Sequence, residues 1–587
     1  MLRFLPMPVA KHNNQARRST TVRIRAISAC IFVLGFGLII RLYVVQIHHA
    51  ALYRDKAERQ YVHTAKDVYD RGSIYFTTKD GEQVSAASIT SGYLMAVNPS
   101  VITDPEATYN KIAPFLTVSK EVFIQRATMA GRTYVEVEPK MSKEHADALA
   151  ELKVPGVMLY RNTWRYYPGG DVAARTIGFV GYLGEDEKQL HGKYGLERYY
   201  DDALMRDNKV LSVNFFAEIF SNLGNLVYDN HNDKVGDVVT TIEPTVSRML
   251  DRVLQETQDT YHSKMTGGII MDPKTGAIYA MNVAPTFNLN EHTGVPLETF
   301  DNPLVQSVYE MGSIIKPLTM AAGLDSKVVT PQTTYYDAGF LKLDTFTIKN
   351  YDGKGRGTVP MQEVLNQSLN TGVAHVVSLM GKDKFRKYFT ALQLGSETGI
   401  DMPSEAKGLV DNLQSPRDVE YATASFGQGI AMTPLETIRA LATLGNGGHL
   451  VTPHLASKIT YEDGTSKDIT FPAGAQVYTP ETSETITRML TTVVDKALKH
   501  GAVALPDHSI AAKTGTAQIS NPNGGGYYDD RYLHSFFGYF PSYDPKFIVF
   551  LYTVEPKNVQ YASETLTTPF MDITKFLINY YNIPPDR

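Results

Sequence analysis

Three hydrophobic patterns follow one another along the chain. Residues 26–40 are uncharged without interruption, and residues 42–45 continue the apolar run beyond Arg41. From residue 53 to about 233 the pattern is short and irregular. Asp70-Arg71-Gly72-Ser73-Ile74-Tyr75-Phe76, followed by Lys79-Asp80-Gly81, predicts a strand, a turn and another strand. The stretch 161–170, with the only tryptophan at Trp164, predicts an aromatic strand ending in a turn at Pro168-Gly169-Gly170. Residues 192–202 predict a glycine-rich loop entering a helix.

Past Asn230-His231-Asn232-Asp233-Lys234 the pattern becomes regular, which marks a domain boundary near residues 233–236. Glu243-Pro244 opens a helix with Val246, Met249, Leu250, Val253 and Leu254 on one face. Residues 268–271, the turn Asp272-Pro273-Lys274-Thr275-Gly276 and residues 277–283 predict a hairpin. Gly312 stands at the entrance of a helix whose first turn holds Pro317, where the missing N–H does no harm. The run Leu318-Thr319-Met320-Ala321-Ala322-Gly323-Leu324 is apolar on nearly every side, as suits a helix inside a domain. Residues 361–444 read as largely helical, with Thr433-Pro434 and Glu436 as N-cap, first position and capping-box partner. Strands follow at 509–518, 534–540 and 547–555, a glycine-rich loop at 521–526 lies between two of them, and residues 568–581 form a closing helix. This succession predicts an α+β fold, with helices packed on an antiparallel sheet.

Composition adds limits. A chain of 587 residues needs more than one core, and a net charge of −5 gives no nucleic-acid footprint. Cys30 is the single cysteine, which excludes an intrachain disulfide and leaves too few thiols for a zinc-thiolate site. No cofactor or metal is called for. Ahead of the apolar run, Arg3, Lys11, Arg17, Arg18, Arg23 and Arg25 occur with no acidic residue. Residues 1–25 then read as a cytoplasmic basic tail and 26–45 as a transmembrane anchor, with everything after about residue 46 outside. A cleaved signal peptide competes with this reading; the short apolar core favours it, and the want of a small-x-small site after Arg41-Leu42-Tyr43-Val44-Val45-Gln46 opposes it.

The candidate chemistry begins at Ser313 and Lys316, which share one helix face at i,i+3. A serine hydroxyl needs an adjacent base, and a lysine is one only when burial or a second cation lowers its pKa. Ser368-Leu369-Asn370 offers a hydroxyl to relay a proton and an amide to orient a substrate or the lysine. Lys513-Thr514-Gly515-Thr516 offers the second cation, two hydroxyls, and a glycine that lets a substrate lie close to a strand edge. The N–H groups of Ser313 and Thr516 would form an oxyanion hole. Each spacing recurs elsewhere, at Ser404-Glu405-Ala406-Lys407, Ser212-Val213-Asn214 and Lys274-Thr275-Gly276, but without the same carriers or order.

In this order the three motifs resemble those of penicillin-binding proteins. Together with the N-terminal anchor, the Asp70–Ile74 run, Arg165-Tyr166-Tyr167-Pro168-Gly169-Gly170 and the ending Ile583-Pro584-Pro585, they resemble a class B penicillin-binding protein. The resemblance covers nearly all of the chain after the anchor. It implies a non-catalytic, mixed and mostly β pedestal or dimerisation-type domain at 52–233, followed by an α+β penicillin-binding domain at 236–587 with a helical subdomain. It implies a serine D,D-transpeptidase that cross-links peptidoglycan stem peptides, lipid-linked or in nascent glycan. Ser313 would be the nucleophile, Lys316 its base, and Ser368 the proton relay beside Asn370; Lys513, Thr514 and Thr516 would hold the substrate carboxylate, with Gly515 among the substrate-binding residues. β-Lactams would acylate Ser313. The partners implied are a polytopic glycan polymerase and other division or elongation membrane proteins. Leu369, Ile314-Ile315 and Met311 depart from the usual family residues but remove no required group.

Four alternatives compete with this reading. A β-lactamase lacks its glutamate loop here, a sensor would need a cytoplasmic signalling domain, and a bifunctional class A enzyme would need an upstream glycosyltransferase. A silent scaffold is the fourth, against which stand three chemically intact motifs. Within the class, the ending and the Tyr-Tyr-Pro-Gly-Gly run incline toward septal division over sidewall elongation.

Overall fold

The computed structural model describes residues 71–182, 190–205, 235–343, 345–521 and 523–587. The expected tail and anchor at 1–45 and the repeated spacing at Ser212 lie outside the described residues. Among the described residues no helix is long and apolar enough to cross a membrane.

β1 (Ile74–Thr77) turns through Gly81, at φ +83°, into the long β2 (Gln83–Val97), as the alternation predicts. β2 pairs antiparallel with β3 (Val135–Met141) and with β4 (Val157–Tyr166), the aromatic strand. Helices Pro105–Ile112, Lys120–Ala127 and Lys143–Glu151 close a small core containing Val97, Ile112, Phe123, Val137 and Leu149. The turn after β4 is tied by Gly170 N–H donating to the Tyr167 carbonyl at 3.0 Å. A two-stranded ribbon of β5 (Val180–Gly181) and β6 (His191–Gly192) precedes the short helices Gly195–Tyr199 and Asp201–Leu204.

The segments noted around Arg71, Arg165 and residues 192–202 meet in one buried ionic knot. Glu197, with no exposure, accepts from Arg71 Nε at 2.7 Å and from Arg165 Nε at 2.6 Å. Arg71 also donates to Asp201 at 2.7 Å, and Arg165 to the Gly72 carbonyl at 2.7 Å. Charges withdrawn from water this far persist only when paired and hydrogen-bonded, so the knot fixes how the strands meet.

β7 (Gly236–Thr240) leads into helix Pro244–Tyr261, where Glu243 caps the N-terminus by accepting from Val246 N–H at 2.6 Å. All five apolar positions anticipated on its face are buried. β8 (Met265–Met271) and β9 (Ile278–Ala284) form the expected hairpin. The serine segment, a 3-10 turn Gly312–Ile315 running into helix Lys316–Asp325, comes next. Two small ribbons pair β10 (Thr334–Asp337) with β13 (Gly357–Pro360) and β11 (Phe340–Leu343) with β12 (Phe346–Lys349).

Helices Met361–Asn366, Asn370–Met380, Lys382–Ala391, Asp418–Ala424 and Pro434–Ala442 make up the helical region. Thr433 caps the last of these by accepting from Glu436 N–H at 3.0 Å. The capping box is not completed, because the Glu436 carboxylate turns to the Gly395 N–H instead.

β14 (Ala456–Tyr461) and β15 (Ser466–Asp468) follow, then helix Pro480–Thr492 and the strands β16 (Ala511–Ser520), β17 (Tyr527–Phe540) and β18 (Phe547–Val554). The five-stranded sheet has the order β16-β17-β18-β8-β9, antiparallel throughout, with β16 at its edge. One face packs on Pro244–Tyr261 and on the closing helix Thr567–Tyr580 through Leu250, Leu254, Phe536, Leu551, Phe570 and Leu577. The other is covered by Pro434–Ala442 and Pro480–Thr492. Every residue of β18 is accordingly buried.

The second large sheet runs β15-β14-β7-β1-β2-β3, with β4 also on β2. β7 pairs parallel with β1 and antiparallel with β14. The change of pattern near residues 233–236 therefore does not coincide with the edge of a sheet.

Candidate active site

The serine turn is built on glycine. Gly312, at φ +64°, takes a left-handed backbone that side chains resist, and its N–H donates to the Gly427 carbonyl at 3.1 Å. Gly427 belongs to Phe426-Gly427-Gln428-Gly429, and a Cβ there would stand 2.3 Å from the Gly312 carbonyl oxygen. From Gly312 to Ile315 the chain is a 3-10 turn, and the α-helix begins at Lys316. Lys316 follows Ser313 by three residues, where the turn passes into the helix. Ser313 is half-buried and Lys316 has no exposure.

Lys316 is oriented by the second motif. Its Nζ donates to the Ser368 carbonyl at 2.5 Å and to Ser368 Oγ at 3.0 Å. Ser368 lies between helices Met361–Asn366 and Asn370–Met380 at φ +55°, an uncommon region for a residue with a side chain. That conformation turns its carbonyl and its hydroxyl toward the same amine. Leu369 is fully buried, so the departure at that position stays out of the site. Asn370 Nδ2 donates to the Lys349 carbonyl at 2.9 Å, fastening the motif to the β12 ribbon rather than steering the lysine. Burial pushes the Lys316 ammonium well below its ordinary pKa, and the positive charge of Lys513 adds to the effect. Burial also pushes Lys513 down, to about 8.

The third motif lies along the edge strand. Lys513, Gly515 and Ala517 of β16 are buried, while Thr514, Thr516 and Gln518 are half-buried. The strand is laid directly against the serine turn. A Cβ at Gly515 would come within 2.4 Å of Ser535 Oγ and 2.8 Å of the Met311 carbonyl oxygen; one at Gly312 would come within 2.9 Å of the Thr516 carbonyl oxygen. Gly312, the neighbour of Ser313, thereby sits against Thr516, the other residue expected to supply an oxyanion N–H donor. Lys513 Nζ donates to the Thr514 carbonyl at 3.1 Å, and Thr516 Oγ1 accepts from Ala562 N–H at 3.0 Å.

The three motifs, far apart in the chain, thus meet at one place. The repeated spacings do not: Ser404 is exposed at φ +62°, Lys407 pairs with Glu397 at 3.8 Å, and Lys274 pairs with Asp544 in a reverse turn. Sequence reasoning missed Ser535, whose hydroxyl donates to the Met311 carbonyl at 2.8 Å and holds β17 to the serine turn. It also gave no role to Glu310, which accepts from Gly429 N–H at 2.9 Å and from the Tyr527 hydroxyl at 3.1 Å. No spacing marked either residue, since their partners come from distant strands and loops.

Residues 266–575 match the family model described as the penicillin binding protein transpeptidase domain, and residues 68–215 match that of the penicillin-binding protein dimerisation domain. Stage V sporulation protein D of Bacillus subtilis is 29% identical over 560 residues, covering 92% of this chain and 84% of that protein. Peptidoglycan D,D-transpeptidase FtsI of Escherichia coli K12 is 25% identical over 459 residues, with coverage of 77% and 73%. Among solved structures, penicillin binding protein 3 of Mycobacterium tuberculosis complexed with aztreonam shares the fold at a TM-score of 0.66 and 21% identity, covering 88% of this chain and 97% of that one. Penicillin binding protein 2X of Streptococcus thermophilus shares it at 0.68 and 19% identity, with coverage of 89% and 81%.

Proposed function

The chain belongs to the class B penicillin-binding transpeptidases, and on that footing we propose that Ser313 is the nucleophile with which it cross-links peptidoglycan stem peptides. The observation that carries this reading is the buried amine of Lys316, three residues from Ser313, hydrogen-bonded to Ser368 and depressed in pKa by burial and by Lys513.

Ser313 Oγ attacks the carbonyl carbon of the penultimate D-alanine while its proton passes to neutral Lys316. The oxyanion that forms is held by the N–H groups of Ser313 and Thr516. Collapse breaks the amide bond, and the terminal D-alanine leaves as its nitrogen takes a proton through Ser368 Oγ, which touches Lys316 at 3.0 Å. An amine of a second stem peptide then attacks the acyl-enzyme carbonyl, the ester bond to Ser313 Oγ breaks, and the proton lost by the amine passes through Lys316 to Ser313 Oγ. Lys513, Thr514 and Thr516 hold the terminal carboxylate, and the peptide lies along the edge strand β16, which Gly515 lets sit against the serine turn. A β-lactam enters the same first step and stays on the serine.

With residues 1–25 read as a basic tail and 26–45 as an anchor, this site faces the outer side of the cytoplasmic membrane, and the family resemblance supports a polytopic glycan polymerase as its partner. The resemblance favours septal division, and a fluorescent fusion is expected at midcell; sidewall fluorescence would move the assignment to elongation.

Full-length protein in membranes is expected to be labelled covalently by a fluorescent penicillin, with the label on the peptide containing Ser313, and Ser313→Ala is expected to abolish labelling. Labelling that survives in that variant, or label recovered at Ser404, would overturn the assignment.

A further inference from the structure

Behind Thr516 lies a residue to which no motif points. His534 of β17 stands directly opposite Thr516 in the β16–β17 ladder and has no exposure. Its Nε2 is 3.0 Å from the Gln560 carbonyl oxygen, and its Nδ1 is 2.9 Å from Thr565 Oγ1. A carbonyl can only accept, so Nε2 carries the proton, and Nδ1 receives the hydroxyl proton of Thr565. The Ala562 carbonyl, 3.3 Å from the same hydroxyl, is the longer alternative. Burial pushes the imidazole down to about 4, so it is neutral with this donor and acceptor pattern at pH 7.

The two bonds bracket Ala562 in the chain, with Gln560 before it and Thr565 after it. The Ala562 N–H is the donor to Thr516 Oγ1 at 3.0 Å. An N–H delivered from a fixed direction occupies an acceptor site of that oxygen and selects its rotamer, leaving the hydroxyl proton to point elsewhere. One ring therefore holds both ends of the segment that sets the Thr516 hydroxyl.

We propose that His534 is a positioning residue for substrate recognition: by clamping residues 560–565 it orients the Thr516 hydroxyl to donate to the carboxylate of the stem peptide or β-lactam. This rests on the transpeptidase reading above. A group that acts only through the carboxylate contact affects acylation by ligands that carry a carboxylate and spares those that do not.

The test compares acylation of the full-length protein by a fluorescent penicillin with a free carboxylate and by the methyl ester of the same compound. In the unmodified protein the free acid reacts faster; no labelling by either compound would refute the transpeptidase reading itself. His534→Ala is expected to lower the acylation efficiency of the free acid about tenfold or more, the worth of one charge-assisted hydrogen bond, and to leave the ester within about threefold. His534→Gln, whose amide N–H can reach the Gln560 carbonyl, is expected to recover part of the preference. Thr565→Val keeps shape and removes the hydroxyl; it should reduce the preference in the same direction, and it decides the matter if His534→Ala does not fold. Equal losses toward acid and ester, or an unchanged ratio in both His534→Ala and Thr565→Val, would overturn the proposal.

Discussion

At the scale of the residue, the problem is to make a lysine act as a base at neutral pH. Spacing brought Ser313 and Lys316 together, and the requirement for burial or a second cation was readable from elementary chemistry; the structure supplies both. What could not be read is that the lysine is aimed by a backbone carbonyl, because the left-handed conformation of Ser368 leaves no trace in residue type. On the proposed role of Lys316, Lys316→Ala removes a base and not a binding group, so acylation should slow about 10²–10⁴-fold while the noncovalent affinity for penicillin changes little, as rapid-quench kinetics would measure. Equal losses in both would argue for a binding role. Lys513→Ala tests the second cation. Its positive charge disfavours the ammonium form of Lys316, so its loss raises the pKa of Lys316, and the rising limb of acylation against pH should move to higher pH. An unmoved limb would mean that burial alone sets the base.

At the scale of the element, sequence periodicity located most of what matters. The amphipathic face of Pro244–Tyr261 and the apolar run after Pro317 are buried as their patterns require. The 3-10 character of the serine turn was not legible, since it depends on Gly427 backing Gly312 from a loop far along the chain. The turn of Glu436 toward Gly395 was hidden for the same reason: a capping box is a local preference, and a distant N–H outcompeted it. The closest joint in the site is between the edge strand and the serine turn. Gly515→Ala would press a methyl group against Ser535 Oγ and the Met311 carbonyl, and the carbonyl belongs to backbone that cannot swing aside. Strand and turn must separate, with overpacking of about 1–3 kcal/mol. Penicillin acylation should fall by far more than a small drop in the thermal midpoint would explain; normal acylation kinetics would show that the joint is looser than its geometry.

At the scale of the whole molecule, separate stretches of sequence prove to be one object. Arg71, Arg165 and Glu197 come from segments with no evident chemistry, and they meet in the ionic knot. The meeting itself was beyond sequence reasoning, because register and long-range pairing are set by the assembled fold. Glu197→Ala leaves two buried guanidinium groups without their shared carboxylate and should cost about 3–5 kcal/mol, read as a large fall in the thermal midpoint. A midpoint within a degree or two of the unmodified protein would mean that water reaches the knot.

The sheet that carries β7 between β1 and β14 has a consequence for how such proteins can be recombined. Two family models divide the chain at residues 215 and 266, which suggests interchangeable cassettes. A graft cut there would part β1 from its parallel neighbour or force a foreign strand into its place, leaving backbone donors and acceptors along an open edge where chains stick together. A chimera assembled from two relatives should keep its solubility only when β1, β7, β14 and β15 come from the same parent.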